Sequence, residues 1–555
     1  MRRARKMSAV IGAAAVATVV AAASQAGASA AGTANAVGAD HAGHASRAWA
    51  AGLPGGYKHL VVIYEENHSF DNLYGSWGRV NGQRVDGLSR APASTKRQKA
   101  EDGTRYRCLP QDDVNLTAPV PLSSRCQDPA HGVADSHFRN HPYKVDRYIR
   151  PMDKTCPAPG VFAANGILKN SPGALPGGCT RDLVHRFYQE QYQIDGGRQD
   201  RYVTGSDALG LTMGHYATKR LPIYRYLHSR GAPHYVIADR FFQAAFGGSF
   251  LNHQFLIAAR APLDTSGGAL GAANSVLDDN GMPTAYPFYT PVGTTPFDGQ
   301  LTQACPGSTT SDPLRACGDY AVNTVQPSSP PAGPGTKIPL VDDATYPNIG
   351  DRLSAAGISW NWYSGGWDDA AAGHPGLLFQ FHHQPFNYFA AYAPGQPGRA
   401  HLKDETDFTR ALKHGRLPRV SFVKPYGAEN EHPGYASEPN GSDHLVSLLR
   451  RISRSPEAKS TLVVVTYDEF GGQWDHVSPP GPGSRTHGVH DAWGPGTRIP
   501  ALVLSSSMRR SGVDHTVYDT TSILATIEHS FRLAPLSPRD AAVHDLRHAV
   551  AVGGR

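Results

Sequence analysis

The sequence predicts an α/β domain built on a central, mostly parallel sheet sandwiched by helices. Three observations carry this expectation. Residues 60–64, Leu-Val-Val-Ile-Tyr, form a continuous apolar run of the kind found in strands covered on both faces. Residues 461–466 repeat that pattern near the other end of the chain. Between and after them, short strand-like runs alternate with helical periodicity, as crossover connections in a parallel sheet require.

The elements follow in order. Residues 1–30 read as a secretory leader: Arg2, Arg3, Arg5 and Lys6 precede an Ala/Val-rich run that ends at Ala28-Ser29-Ala30, a small-residue cleavage site. The run is short for a membrane span, and no later segment offers about eighteen consecutive apolar residues. A secreted, extracellular protein with no stable membrane anchor is expected. Residues 31–56 are expected to form a flexible lead-in, and residues 57–550 a single domain. Residues 236–238 are a short strand candidate. Residues 348–356 read as a helix stopped by Gly357, and 358–363 as the strand after it. Residues 420–423 make a further strand. Leu445, Leu448, Leu449 and Ile452 then mark an amphipathic helix by their i, i+3, i+4, i+7 spacing. A strand over 499–504 and a helix over about 520–531 close the pattern.

Residues 78–200 and 262–345 are different. They are rich in Gly, Pro, Ser and Asp, show little periodicity and hold every cysteine. Cap or rim insertions over one face of the sheet are expected there, with a separate second domain as the alternative. Six cysteines in an exported chain imply disulfides, and sequential pairing (108–126, 156–179, 305–317) is favoured among the possible sets. The formal charge of +6 includes four leader cations and no leader acids, so the chain beyond the leader carries +2. Net charge therefore implies no nucleic-acid partner.

Two strand ends are chemically unusual. The first strand runs into Glu65-Glu66-Asn67-His68-Ser69-Phe70-Asp71, and the late strand into Tyr467-Asp468-Glu469-Phe470-Gly471-Gly472. Ligands gather at the carboxyl ends of strands in open α/β sheets. Adjacent carboxylates there repel unless a cation neutralises them; helix caps and loop polars are the competing reading. Between the two, Gly247-Gly248-Ser249 precedes an apolar helical segment. Ser249 is a nucleophile candidate at a helix start suited to phosphate, although from the residues alone an ordinary N-cap is the favoured reading. His131 precedes Gly132, His382-His383 precede Gln384-Pro385, His432 precedes Pro433-Gly434 and His476 precedes Val477-Ser478-Pro479. A surface or satisfied core histidine is the competing reading; His-Pro-Gly and His-His-Gln-Pro-Phe are the better candidates because rigid loops aim side chains into clefts.

Taken together these segments resemble the bacterial phosphoesterase family that includes phosphatidylcholine-type phospholipases C and acid phosphatase A. The resemblance rests on Glu66-Asn67-His68-Ser69-Phe70-Asp71-Asn72-Leu73-Tyr74-Gly75 (His68 stands where arginine is usual), Met213-Gly214-His215-Tyr216 and Gly248-Ser249-x-x-Asn252. It continues through Thr466-Tyr467-Asp468-Glu469 to Asp475-His476-Val477, Arg498-Ile499-Pro500 and Asp519-Thr520-Thr521. It implies an alkaline-phosphatase-like three-layer α/β sandwich with disulfide-stapled cap insertions. It also implies Glu66, Asn67, Asp468 and Glu469 as ligands of one divalent metal ion (Ca, Mg, Mn or Zn), with Ser249 as nucleophile touching it. His131, His382, His383 and His432 are expected around the phosphate, and Asn252 in substrate binding.

The expected activity is hydrolysis of phosphate monoesters through a phosphoserine intermediate, because the Phe-Asp-Asn-Leu-Tyr-Gly form of the first block looks like the acid phosphatase branch. Phospholipase C action on phosphatidylcholine or sphingomyelin is the alternative, so the partner is a small phosphate ester or a phospholipid head group. An inactive secreted binding protein on the same scaffold is the alternative of another class. The sulfatase nucleophile block, x-Pro-x-Arg after the nucleophile, is absent after Ser249.

Overall fold

Leu60, Val61, Val62, Ile63 and Tyr64 are fully buried, so both faces of their strand are covered. In this computed structural model the run belongs to β1 (His59–Glu65), one of eight strands in one sheet. The structure describes residues 52–111, 122–148, 182–263, 278, 280–283, 286–292, 320–436 and 438–554. The leader and the pairs 156–179 and 305–317 lie outside them. The remaining strands are β2 (His234–Ala238), β3 (Trp360–Ser364), β4 (Leu402–Asp404), β5 (Val420–Lys424), β6 (Thr461–Tyr467), β7 (Ala501–Ser505) and β8 (Gly512–Asp514).

Their order across the sheet is β4-β3-β5-β1-β6-β7-β2-β8. Neighbours are parallel except at β7, which runs antiparallel to both β6 and β2. The expected mostly parallel sheet is therefore present, with its two strongest strands paired at the centre.

Side-chain alternation shows the three layers. The Trp362 ring of β3 lies 6.2 Å from the His253 ring on helix α1 (Ser249–Ala258). The next residue, Tyr363, points the other way, its ring 5.3 Å from Phe408 on a different helix. On the first face α1 packs against α2 (Ile349–Ala355) and against the late helix over 521–531. Asn348 caps α2 reciprocally with Asp351, and Gly357 takes up the left-handed turn (φ 67°) after it. The second face holds α3 (Glu405–His414), which carries Phe408, and α4 (Glu438–Arg454). Leu445, Leu448, Leu449 and Ile452 of α4 are all buried, each stabilising the fold by about 1.5–3 kcal/mol. The late helix is α5 (Thr521–Phe531).

Cys108 and Cys126 form a disulfide with Cα atoms 5.8 Å apart. It staples the first insertion, as sequential pairing expects.

Candidate active site at the strand ends

The ladder between β1 and β6 runs to Glu65 opposite Tyr467, and the Asp468 amide then donates to the Glu65 carbonyl at 3.1 Å. Glu66 and Asp468 thus leave the sheet side by side. The backbone amides of Asn67 and Glu469 both donate to Asp468 Oδ1, at 3.0 and 2.8 Å. Asn67 adopts a left-handed conformation (φ 52°) that asparagine tolerates. Gly471 approaches it so closely that a Cβ would stand 2.3 Å from the Asn67 carbonyl oxygen. This contact is why glycine follows the second acidic block.

Ser249 reaches the same point from the other side. Gly247 has φ 90°, and a Cβ there would lie 2.8 Å from the Phe187 amide nitrogen, so only glycine permits the turn. Gly248 is the N-cap and Ser249 the first residue of α1. The Ser249 hydroxyl does not cap the helix. Its oxygen lies 3.1 Å from Glu66 Oε2, 3.3 Å from Asn67 Oδ1 and 3.4 Å from Glu469 Oε1. One O–H proton cannot serve three acceptors. Asp468 Oδ2 is buried nearby with no hydrogen-bond partner.

This surplus of converging oxygens fits a hard divalent cation. Glu66, Asn67, Asp468, Glu469 and Ser249 are the residues that would hold it. The charge balance agrees. Burial and then the Glu66 charge push the Asp468 carboxyl up to about 8, and burial and then Asp468 push Glu469 well above the carboxylate range. Burial opposes ionisation of Glu66 too, but Lys424 and His383 outweigh it and hold that carboxyl well below its usual value.

A cleft of about 540 Å3 opens over Ser249, lined by His185, His382, His383, His432 and Tyr435 among others. His383 Nε2 lies 2.9 Å from Glu66 Oε1. His432 Nδ1 donates to the Pro433 carbonyl at 2.7 Å, so its Nε2 accepts from the Asn67 amide at 3.1 Å. That bond turns Asn67 Oδ1 toward Ser249. Burial, ahead of every other influence, lowers both His383 and His432 to about 4.

Two expected site residues lie elsewhere. His131 sits on the stapled hairpin, bonded to Asp128 Oδ2 and Thr104 Oγ1 at 2.7 Å each, and does not line the cleft. A carboxylate and a hydroxyl within its own insertion have captured it. Asn252 is fully buried; it accepts from the Ala245 amide at 3.0 Å and donates to the carbonyls of Ala245 and Gly248 at 3.1 and 3.2 Å. Its amide holds the Ser249 turn and is not offered to substrate.

Four other residues enter unannounced. His185, whose Nε2 lies 3.4 Å from Glu469 Oε1, comes from an insertion without periodicity. Lys424 ends an apolar strand fully buried and pairs with Glu66 Oε1; a lysine closing such a run was the available signal. His253 donates from Nδ1 to the Ser249 carbonyl at 2.7 Å and turns its bare Nε2 toward Glu66 Oε1, 4.0 Å away. Glu190 accepts from Gly247 and Thr497 amides, both at 2.6 Å, and from Gln243 at 2.9 Å. Gln243 Oε1 accepts in turn from the Phe470 amide at 2.9 Å, so this pair locks the Ser249 turn to the second acidic block.

Behind the site, Asp71, Asp475 and His476 form another cluster of potential ligands. Here the charge is already balanced. Arg498 is fully buried and donates to Asp475 Oδ1 at 3.0 Å and to Asp71 Oδ1 at 3.2 Å, and His476 Nδ1 pairs with Asp71 Oδ2 at 2.5 Å. Burial would lower the His476 pKa, yet Asp71 and Asp86 lift it to about 9. A raised histidine stabilises fully below its unfolded value, about 6.5, and the benefit is lost as pH rises through about 9. Asp475, at about 6, and the depressed Asp71 are ionised across that window. His476 should therefore contribute a loss of up to about 3 kcal/mol between pH 6.5 and 9, in addition to the loss from the Asp468 carboxyl, which titrates near 8 in the same window. In urea unfolding His476→Gln should make the slope shallower by its share; an unchanged slope would remove His476 as a source.

With this geometry in place, comparison with known proteins is direct. The Phosphoesterase family matches residues 160–534, and the chain belongs to that family. Phospholipase C B of Mycobacterium tuberculosis is 23% identical over 540 residues, covering 90% of this chain and 79% of that protein. The non-hemolytic phospholipase C of Burkholderia pseudomallei is 31% identical over 219 residues, 34% of this chain and 29% of that one. Among solved structures, a protein in the alkaline phosphatase superfamily from Vibrio parahaemolyticus matches at 15% identity and TM-score 0.22, over 35% of this chain and 50% of that one. The chain is a hydrolase of phosphoric ester bonds.

Proposed function

We propose that this chain is a secreted phosphoesterase that cleaves phosphate monoesters through a phosphoserine intermediate. The observation that carries the reading is the Ser249 hydroxyl, held at a helix start against Glu66, Asn67 and Glu469. A divalent ion held by these side chains would supply Lewis-acid chemistry, lowering the pKa of the hydroxyl and neutralising phosphate charge.

The residues supply the rest. The Ser249 proton passes to the nearest acceptor, Glu66 Oε2 at 3.1 Å. Ser249 Oγ bonds to phosphorus as the bond from phosphorus to the ester oxygen breaks, and the departing alcohol takes its proton from a cleft imidazole, His382 or His383. Burial by itself keeps that imidazole neutral, and the bound phosphate anion brings it to the protonated form. Ser249 is the first residue of α1, so the positive end of the helix dipole would favour the charge on the equatorial oxygens. Water then attacks the phosphoserine, gives a proton back to that imidazole, and inorganic phosphate leaves as Ser249 regains its own.

Phospholipase C action is the second reading, favoured by the relative that aligns over 90% of the chain. Parallel assays on p-nitrophenyl phosphate and p-nitrophenyl phosphorylcholine, with and without chelator, separate the two. The monoester reading expects faster turnover of the first and loss of both on chelation. Preference for the choline ester, with release of phosphocholine from phosphatidylcholine, would replace it. Secretion is checked by the N-terminal sequence of protein recovered from the medium, expected to begin after Ala30.

A further inference from the structure

At the opposite end of the strands from the catalytic cleft, where β2 and β6 begin, two cavities of about 800 and 630 Å3 adjoin and share Arg454. The basic side chains lining the first are Arg230, His234, Arg450 and Arg454. The second adds Arg410, Lys413, His414 and Arg451. No carboxylate lines either one. Arg410 is balanced by Asp407. The nearby Glu457 is engaged by His59 and by the Leu417 amide. Among the described residues, no carboxylate pairs with Arg230, Arg450, Arg451, Arg454 or Lys413.

Cations do collect at helix C-termini, and α3 and α4 both end here. Each helix end is equivalent to about half a negative charge, so the two ends offset about one of these five cations. The chain beyond the leader carries only +2. The excess is therefore a local concentration of charge and not a bulk property.

The shape narrows the ligand. The surface is concave, and the exposed large apolar side chains among the described residues, Leu263, Val292 and Leu377, are not part of it. It offers nothing to insert into a bilayer. Arginine forks match phosphate oxygens in pairs, and several around one cavity suit an anion bearing more than one phosphate. We propose that this double cavity binds a soluble multivalent phosphate anion at a site separate from the substrate cleft.

Inorganic tripolyphosphate is the probe, titrated by calorimetry into full-length protein dialysed free of metal. Wild type should bind it with an affinity that falls as salt rises. Arg450→Gln with Arg454→Gln should weaken that binding by at least about tenfold, one interaction of about 1.4 kcal/mol. Metal-loaded protein with the same substitutions should turn over p-nitrophenyl phosphate at the wild-type rate. Equal affinity in wild type and variant overturns the proposal. So does binding to phosphatidylglycerol vesicles without binding to tripolyphosphate, which would make the surface a membrane contact. Should the first pair of substitutions lower the melting temperature, Arg451→Gln with Lys413→Gln is judged by the same criterion.

Discussion

Ser249→Ala is expected to lower turnover of p-nitrophenyl phosphate by at least about a thousandfold, as loss of a catalytic nucleophile does elsewhere, while leaving the fold intact. The two halves of this expectation have separate causes. Turnover falls because, among the described residues, no other hydroxyl lies within bonding distance of Glu66, Asn67 and Glu469 together. The fold persists because the turn is held by other groups: Asn252 grips the Ala245 and Gly248 backbone, and Glu190 grips the Gly247 amide. The hydroxyl caps nothing, so its loss should change the melting temperature little. Wild type incubated with substrate and acid-quenched should carry phosphate on Ser249 by mass spectrometry. Near-normal activity in the variant, or labelling at another residue, would end the nucleophile assignment.

Asp468→Asn should separate metal binding from folding. Asn keeps an oxygen that can accept from the Asn67 and Glu469 amides as Oδ1 does now. The change falls on Oδ2, which is buried without a partner. Without metal the Asp468 carboxyl is already neutral at pH 7, because burial and the Glu66 charge push it up to about 8. Asn replaces one neutral group by another of the same shape and should leave the metal-free protein about as stable as wild type. Metal content measured on purified protein should drop, and added divalent ion should raise the melting temperature of wild type but not of the variant. Activity should fall with the metal. Wild-type stoichiometry in the variant would exclude Asp468 as a ligand.

The sequence was most legible where one physical rule acts over several residues. Residues 60–64 and 462–465 are apolar throughout because both faces of their strands are covered, and Leu445, Leu448, Leu449 and Ile452 of α4 mark its buried face. The acidic blocks stood out for a related reason, since charge directly after such a run needs compensation. His185 could not be read this way: it comes from an insertion whose path follows from no periodicity. His131 shows the converse failure. Its Pro/Gly setting resembles that of His432, yet Asp128 and Thr104 hold it on the hairpin. Asn252 was correctly placed beside Ser249 but given to substrate, when its amide is saturated by backbone.

What the sequence determined by itself was the layered α/β architecture, the two acidic strand ends and the serine turn, because each is a local pattern with a local cause. What only tertiary structure decided was their convergence. The register of β1 against β6 brings Glu66 beside Asp468, and the Glu190–Gln243 link sets Ser249 over both. Lys424 arrives from a third strand to balance Glu66. Contacts between residues some 180 to 400 positions apart depend on strand order and packing, which no spacing along the chain encodes.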